Sequence, residues 1–403
     1  MIKPRKLIAR TSYLDSLKKQ RDKQVIKVIT GIRRCGKSTL LQMYQDYLLS
    51  SDVTTAQITA VNLEFVEFAA LNHYAALYEY VNKRLLSDKM NYVFIDEVQM
   101  CTDFQRAVDG LFVKNNVDIY ITGSNAYMLS GELATLLSGR FITIEMLPLS
   151  FGEYVLGIPD TDMQKAFRDY MRFGGFPLTL QYNRDEELIH QYIDGVYNTI
   201  LKKDIVQRYK IQDVTILEDV IRFLFDNIGN ITTAKKISDT LTSGGRKISQ
   251  PTVENYLKAL CDSFIIYQIN RYDIKGKQYL KTLSKYYLAD LGLRNYLLGY
   301  KNVDTGHILE NIVYFELRRR RYKVYLGKAG NSEIDFVALK QNETLYVQVT
   351  DNVRDPLTLE RVLAPLRSAK DFHPRLLITN DHDFNASYDG IKSINIVDFL
   401  LEQ

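Results

Sequence analysis

A short segment near the amino terminus restricts the fold of this chain more than any other feature. Residues 31–39 read Gly-Ile-Arg-Arg-Cys-Gly-Lys-Ser-Thr, which completes the pattern Gly-x-x-x-x-Gly-Lys-Ser/Thr. The segment follows an apolar run, 25–30, that predicts a buried parallel strand, and it precedes a helix predicted over 39–49. Glycines let the backbone wrap closely around phosphates, and the free N–H groups of the following helix point at them. The order strand, glycine-rich turn, helix therefore predicts a phosphate-binding loop.

Every residue of this loop is a candidate contact to a nucleotide. We expect Lys37 to reach the β- and γ-phosphates and the Ser38 hydroxyl to bind Mg²⁺. Arg33 and Arg34 are interpreted either as phosphate contacts or as solvated side chains. The predicted cofactors are ATP and Mg²⁺, and a guanine nucleotide stays open at the level of the motif. The predicted nucleotide-binding residues are Gly31, Ile32, Arg33, Arg34, Cys35, Gly36, Lys37, Ser38 and Thr39.

Two carboxylates follow the next strongly apolar segment. Residues 92–95, Tyr-Val-Phe-Ile, lead directly into Asp96 and Glu97. Acids at the carboxyl end of a buried strand emerge at the edge of the sheet where α/β folds bind ligands. We expect Asp96, together with Ser38, to hold Mg²⁺, and Glu97 to polarise the water that attacks the γ-phosphate. The alternative interpretation of this pair is the solvated start of a loop.

Polar residues after two further segments complete the candidate catalytic set. A strand predicted over 117–122 ends at Ser124 and Asn125, which either sense the γ-phosphate and orient the water or cap a helix predicted over 126–137. Arg140 is either a contact to transition-state charge, in its own or a neighbouring site, or a structural arginine. The predicted catalytic residues are Lys37, Glu97, Asn125 and Arg140.

Together with motifs further along the chain, these residues resemble a family of prokaryotic AAA-type ATPases. The resemblance covers almost the whole chain, and members join the ATPase domain to a C-terminal region of unknown function. It implies ATP hydrolysis and leaves the biological role open. The resemblance rests on residues 31–39, 94–99, 121–125, 136–140, 147–151, 174–177, 273–276, 290–293 and 333–336.

After an ATPase domain at 1–150, residues 151–213 predict a helical lid and linker, with a break at 173–177. Its long helix, predicted over 192–209, carries Asp204 on what we interpret as a solvated face. Residues 214–300 predict three helices and a hairpin, the order of a winged-helix domain, which binds DNA or docks a protein. The candidate DNA contacts are Arg246, Lys247, Gln250, Thr252 and Asn255 on the third helix, with Lys275, Lys277 and Lys281 on the wing.

The last segment, 301–403, is similar to the restriction-endonuclease-like fold. A helix carries Glu310 and Glu316, a strand carries Asp335, and the next strand ends in Gln348-Val349-Thr350. Active nucleases of that type have a lysine where this chain has Thr350, so we expect an inactive domain, because the attacking water and phosphate lose a stabilising cation. The predicted fold class is α/β: a P-loop NTPase parallel sheet, a helical lid, a winged-helix domain and an α/β restriction-endonuclease-like domain.

Composition limits the remaining classes of function. With 46% hydrophobic and 25% charged residues and no apolar run of roughly 18 residues, the chain is expected to be cytoplasmic, with no membrane partner. Its three cysteines predict neither disulfides nor a zinc site, and a net charge of +4 does not by itself indicate nucleic-acid binding.

The leading hypothesis is an ATPase that acts as a nucleotide-dependent switch on a partner, either DNA or a protein. Formation of homo-oligomers is a further hypothesis. The alternative functions are a nucleic-acid-processing enzyme with a C-terminal metal-dependent nuclease, and an interaction protein in which the nucleotide is structural.

Overall fold

The computed structural model describes residues 7–125, 137, 139–159, 161–274, 276, 278–300, 305–330, 332–369, 371–381 and 387–402. The chain divides into two compact units, one formed by Met1–Pro148 with Asp262–Phe264 and the other by Leu149–Cys261 with Ile265–Gln403. Within the described residues, no helix combines the length and the apolar character that crossing a membrane requires.

The first unit is built on a parallel sheet with helices between its strands. Within its described residues the strand order is β2-β3-β4-β1-β5, and every neighbouring pair is parallel. The strands are β1 (Ile26–Thr30), β2 (Ile58–Asn62), β3 (Asn91–Asp96), β4 (Val117–Gly123) and β5 (Phe141–Glu145). The helices are α1 (Thr11–Lys19), α2 (Lys37–Leu49), α3 (Tyr74–Asn82) and α4 (Phe104–Phe112).

The three central strands of this sheet are buried along their whole length. Both faces of a parallel sheet are covered by helices, which explains why their sequences are apolar runs rather than alternating patterns. The apolar side chains of β1, β3 and β4 pack with those of α3 and α4 in one core. The strands predicted from the sequence are thereby confirmed, while the helix predicted over 126–137 lies outside the described residues except for Leu137.

The second unit begins with helices: α5 (Phe151–Gly157), α6 (Met163–Phe173) and α7 (Glu186–Thr199). The predicted helix over 192–209 starts earlier than expected and changes at its end into a π-helix, Ile200–Gln207. Asp204, which we expected on a solvated face, is buried in that segment, so this expectation is wrong. The widened π-helical turns shift the side chains relative to an α-helical pattern.

Three helices and a hairpin then follow in the predicted order. They are α8 (Val214–Asp226), α9 (Ala234–Ser243) and α10 (Gln250–Asp262), with β6 (Ile266–Asp273) and β7 (Gln278–Leu288) antiparallel to each other. The remaining elements are α11 (Leu291–Leu298), α12 (Thr305–Arg319), β8 (Lys323–Ala329), β9 (Ser332–Lys340), β10 (Glu343–Thr350), α13 (Pro356–Ser368), β11 (Arg375–Thr379), β12 (Ser387–Tyr388), β13 (Ile391–Asn395) and α14 (Ile396–Leu401).

The hairpin is part of a large sheet and not a free wing. β6 pairs in parallel with β8, and the described strands of the second unit follow the order β12-β13-β11-β10-β9-β8-β6-β7. The sequence assigned 214–300 and 301–403 to separate domains, whereas this second sheet takes strands from both ranges. Local patterns predict each strand, but the long-range pair β6–β8 joins segments far apart in the chain and leaves no local signal.

Candidate functional site

The carboxyl ends of β1, β3 and β4 bring the predicted nucleotide-site residues together. The strand order places β4 between β3 and β1, so the loops that follow these three strands are neighbours. Lys37 follows β1, Glu97 follows β3 and Ser124 follows β4. The edge of the sheet at which parallel strands end is the usual ligand site of α/β folds.

The backbone of the phosphate-binding loop requires its two glycines. Gly31 has a φ of +144°, and a Cβ at this position would lie 2.0 Å from the backbone oxygen of Met146. Gly36 has a φ of +107° and precedes the first residue of α2, Lys37. The Lys37 Nζ donates to the backbone oxygens of Gly31 at 3.0 Å and Ile32 at 3.3 Å. The lysine is thus folded back over its own loop, where the phosphates of a nucleotide would replace these carbonyl contacts.

The Ser38 side chain lies beside the Asp96 carboxylate, close enough for hydrogen bonding to lower the pKa of that carboxyl group. One oxygen of the buried Asp96 carboxylate accepts from the Thr122 hydroxyl, and the other accepts from Asn62 Nδ2 at 2.9 Å. Burial raises the pKa of Asp96, while the hydrogen bonds from Ser38 and Thr122 oppose that shift. A hydroxyl beside a fixed carboxylate fits Mg²⁺, which proteins bind with one or two carboxylates plus substrate phosphates.

Glu97 is held in a left-handed backbone conformation, with a φ of +53°. Its backbone N–H donates to Thr122 Oγ1 at 3.0 Å, and its Oε1 lies 4.0 Å from Lys37 Nζ. Its other oxygen, Oε2, accepts from Ser124 Oγ at 3.2 Å and from Gln99 Nε2. The carboxylate therefore faces the phosphate-binding lysine with a defined orientation, which is what a general base for an attacking water needs.

The two arginines of the loop have different surroundings. Arg33 is buried and forms an ion pair with Glu64 at 2.8 Å, so it is not a solvated side chain. Arg34 is exposed and has a φ of +69°. A third arginine, Arg10, donates to the backbone oxygens of Cys35 at 3.1 Å and Leu147 at 2.7 Å. It thereby connects the loop to the segment after β5 and stabilises the loop. Ile32 and Cys35 are buried, and Thr39 is exposed.

Of the two remaining predicted catalytic residues, Arg140 lies away from the loop, whereas Asn125 lies just after β4 as expected. Ile26, the first residue of β1, donates its backbone N–H to the Arg140 carbonyl. The Arg140 backbone therefore lies at the amino ends of the strands. The loop follows their carboxyl ends, about 16 Å away at ~3.3 Å per strand residue. The structure does not bring Arg140 to its own nucleotide site. Asn125 is buried and its backbone oxygen accepts from Thr30 Oγ1, whereas Ser124 is the residue that contacts Glu97.

Sequence reasoning missed four side chains of this site: Asn62, Thr122, Gln99 and Arg10. Asn62 and Thr122 stand at the ends of β2 and β4, where polar residues interrupt apolar strands. That position was a usable signal, because parallel strands end at a common edge. Gln99 and Arg10 lie outside any strand, and no spacing rule connects them to the loop.

A second polar cluster lies in the second unit, in the region predicted to resemble nucleases. Lys285 on β7 lies 3.3 Å from Glu310, 3.1 Å from Glu333 and 4.0 Å from Asp335. An ammonium group thus stands beside these carboxylates, and it comes from a strand that the sequence assigned to a different domain. Glu316 is not in this cluster, since it pairs with Arg320 at 2.9 Å.

Glu310 and Asp335 of this cluster line an open pocket of about 660 Å³, to which His307, Gln348 and Arg361 also contribute. Burial and the neighbouring Glu310 raise the pKa of Asp335 to about 8. Burial alone would lower the pKa of Lys285, but the surrounding carboxylates outweigh it and raise this pKa. Within the described part of the chain, no three His, Cys, Asp or Glu side chains are arranged to hold a metal ion. Lys285 forms ion pairs with Glu310 and Glu333 in this cluster.

Comparison with known proteins places the chain in a family. It is 40% identical over 406 residues to a Haemophilus influenzae protein named "Uncharacterized protein", covering 98% of this chain and 99% of that one. The chain belongs to the family of this Haemophilus protein. A second relative, "Uncharacterized protein MJ1544" of Methanocaldococcus jannaschii, is 28% identical over 382 residues, covering 89% of this chain and 83% of its own.

Two domain models match this family member. Residues 23–155 match an AAA domain, and residues 164–304 match a domain of unknown function, DUF8612. The Walker-type ATPase PABY2304 of Pyrococcus abyssi shares the fold, with a TM-score of 0.52 and 17% identity, covering 72% of this chain and 96% of that one. Residues 23–155, with their phosphate-binding loop and parallel sheet, are therefore a P-loop AAA-type domain with an α/β fold.

Proposed function

We propose that this family member hydrolyses ATP with Mg²⁺ at the edge of the first sheet and uses the nucleotide state to switch its interaction with a partner. One observation carries the proposal: Lys37, Ser38, Asp96 and Glu97 converge, with Lys37 Nζ 4.0 Å from Glu97 Oε1 and the Ser38 side chain beside the Asp96 carboxylate. A phosphate-binding cation, a magnesium site and a base within one small volume are the parts that phosphoryl transfer to water requires.

Each residue has a separate task in the proposed mechanism. Lys37 leaves the carbonyls of Gly31 and Ile32 and binds the β- and γ-phosphates, while the loop N–H groups cradle them. Ser38 and Asp96 would hold Mg²⁺, which neutralises charge on the phosphates when bound. Glu97 accepts a proton from the attacking water. Thr122 holds the Asp96 carboxylate and the Glu97 backbone in place through its hydroxyl group.

Lys37→Ala tests the proposal, with Lys83→Ala as the matched control because Lys83 is an exposed lysine on the same unit. We expect Lys37→Ala to lower ATP turnover by ~100-fold or more, since it removes charge stabilisation at the transferred phosphate. Phosphate release is the measurement, with circular dichroism as a check on folding. Turnover by Lys37→Ala equal to that of Lys83→Ala contradicts the proposal and supports a structural nucleotide.

The proposed partner is DNA, contacted through α10 and the turn before it. Arg246, Lys247, Gln250 and Asn255 are exposed there, although Arg246 pairs with Asp219 at 3.2 Å. Thr252 is partly buried, and Lys275 and Lys277 lie outside the described residues. The side chain of Lys281 is also outside the description.

Fluorescence anisotropy of duplex DNA, with and without ATP, tests the partner. Lys247→Ala should weaken binding by about tenfold or less, with a shallower salt dependence, because one phosphate contact is lost. Absence of binding at low salt would redirect the search to a protein partner. Light scattering of the same samples tests whether ATP drives association of copies, where the exposed Arg140 would face a neighbouring site.

One observation favours a second candidate function, cleavage of nucleic acid in the pocket of the second unit. Lys285 restores the ammonium group next to Asp335 and Glu310 that the sequence at 348–350 lacks. A plasmid-nicking assay with Mg²⁺ or Mn²⁺ tests it, with Asp335→Asn as the inactive variant and the exposed Lys340→Ala as control. Nicking that persists in Asp335→Asn, or no nicking by the unaltered chain, removes this candidate.

A further inference from the structure

Gln99 contacts Glu97, the candidate base of the proposed ATPase site, and the neighbouring Ser124. Its Nε2 donates to Glu97 Oε2 and, at 3.3 Å, to Ser124 Oγ. Ser124 Oγ in turn donates to the same Glu97 oxygen at 3.2 Å. Glu97 Oε2 therefore receives two hydrogen bonds from side chains that belong to neither the phosphate-binding loop nor the magnesium site.

The two oxygens of the Glu97 carboxylate differ in their surroundings. Oε2 accepts from Gln99 and Ser124, whereas Oε1 faces Lys37 Nζ at 4.0 Å. Binding of a nucleotide draws Lys37 toward the phosphates and leaves Oε1 facing the reacting group. A general base needs one acceptor oxygen within hydrogen-bond reach of the water it deprotonates.

The amide of Gln99 is oriented by its neighbours and leaves an acceptor unused. Only the NH₂ end of an amide can donate to the Glu97 carboxylate, so the oxygen must point the other way. That oxygen, Oε1, is buried and has no hydrogen-bond partner within the described part of the chain. An unpaired buried acceptor is destabilising, so the stability of the loop alone does not account for this amide.

We propose that Gln99 is a positioning residue for ATP hydrolysis: it holds Glu97 through Oε2 so that Oε1 is presented to the attacking water. The inference rests on the proposed function and adds a residue that the nucleotide-binding motifs do not contain. Gln99 acts through Glu97 and touches neither phosphate nor magnesium. Its loss should therefore affect the hydrolytic step and spare nucleotide binding.

Gln99→Ala is the test variant, and Met100→Ala is its control. Met100 lies in the same short helix, Val98–Met100, and its side chain is 53% exposed. We expect Gln99→Ala to lower kcat by ~10- to 100-fold, because a small misplacement of a catalytic group costs up to about two orders of magnitude. KM and the Kd for ATP should stay within about twofold of the unaltered protein, as should both values for Met100→Ala.

A double variant separates positioning from general structural support. In a Glu97→Gln background, adding Gln99→Ala should change turnover by less than about twofold, because Gln99 has no other route to the reaction. Wild-type turnover by Gln99→Ala beside an inactive Glu97→Gln overturns this inference and leaves the proposed function intact. Loss of ATP binding or of thermal stability in Gln99→Ala also overturns it. Normal turnover by Glu97→Gln itself contradicts both.

Discussion

The Nζ of Lys37 and the Oε1 of Glu97 lie 4.0 Å apart, although β4 separates the strands from which they extend. This contact joins the loop after β1 to the end of β3 across the width of one strand. It places the group proposed to bind the γ-phosphate beside the group proposed to activate water. The functional proposals for the first unit depend on this contact.

Asn62 is expected to support the magnesium site from the end of β2. It donates to Asp96 at 2.9 Å, and Asn62→Ala removes this bond without removing a proposed ligand. Loss of an outer hydrogen bond to a metal ligand weakens metal binding by ~10- to 100-fold, so a higher Mg²⁺ concentration should be needed for half-maximal turnover. A magnesium titration of ATPase activity measures this. Asn82→Ala, at the exposed end of α3, is the control, and identical titrations for both variants refute the assignment.

Gly174 is expected to tolerate no side chain. Its φ is +76°, and a Cβ there would lie 2.1 Å from Asp290 Oδ1 and 2.6 Å from the Gly292 nitrogen. Gly174→Ala should lower the free energy of unfolding by about 2–4 kcal/mol, because backbone strain and a clash with a buried group add. Chemical denaturation followed by circular dichroism measures it.

The matched control for this substitution is Gly195→Ala in α7. A Cβ at Gly195 meets nothing within 4 Å, and alanine there should be neutral or stabilise by up to about 1 kcal/mol. Equal effects of the two substitutions would show that the contact between residues 174 and 290 does not restrict this turn.

Asp290 is expected to make the stability of the second unit depend on pH. Burial raises its pKa to about 7, against the opposing hydrogen bonds from the Gly175 and Gly292 N–H groups at 2.7 and 2.8 Å. Because the folded-state pKa lies above the unfolded value near 3.8, this group's contribution is full below about pH 4 and is lost as the pH rises through 7. The slope is at most about 1.4 kcal/mol per pH unit.

Asp290→Asn removes that titration, so the unfolding free energy of the unaltered protein minus that of the variant should fall between pH 5 and pH 8. Denaturant melts at several pH values measure the difference. A constant difference across that range would show that Asp290 is already ionised in the folded chain at pH 5.

The sequence predicted the first unit well because its signals are local. Apolar runs marked β1, β3 and β4, and the glycines and Lys37 marked the loop between strand and helix. What these signals lacked was the lateral order of the strands. Thr122 and Asn62 touch Asp96 only because β4 and β2 flank β3, and no spacing in the chain states that order.

Buried charges were the other limit of sequence reasoning. Lys27 lies fully buried in β1 and is paired with Asp118 on β4, whose carboxylate also accepts from the Tyr120 hydroxyl at 2.7 Å. A lysine inside an apolar run resembles a break in the pattern until its partner on the neighbouring strand is known. Lys285 is the same case in the second sheet, because its partners Glu310 and Asp335 follow in a segment that the sequence assigned to another domain.

Glu97→Gln is the measurement that tests the central claim most directly. The amide keeps the shape of the side chain and its place beside Lys37 but cannot take a proton from water. We predict that the variant binds a fluorescent ATP analogue with Mg²⁺ as tightly as the unaltered protein, while single-turnover release of the γ-phosphate falls by ~100-fold or more. Phosphate release at the unaltered rate, with binding intact, would contradict the assignment of Glu97 as the base and with it the proposed mechanism.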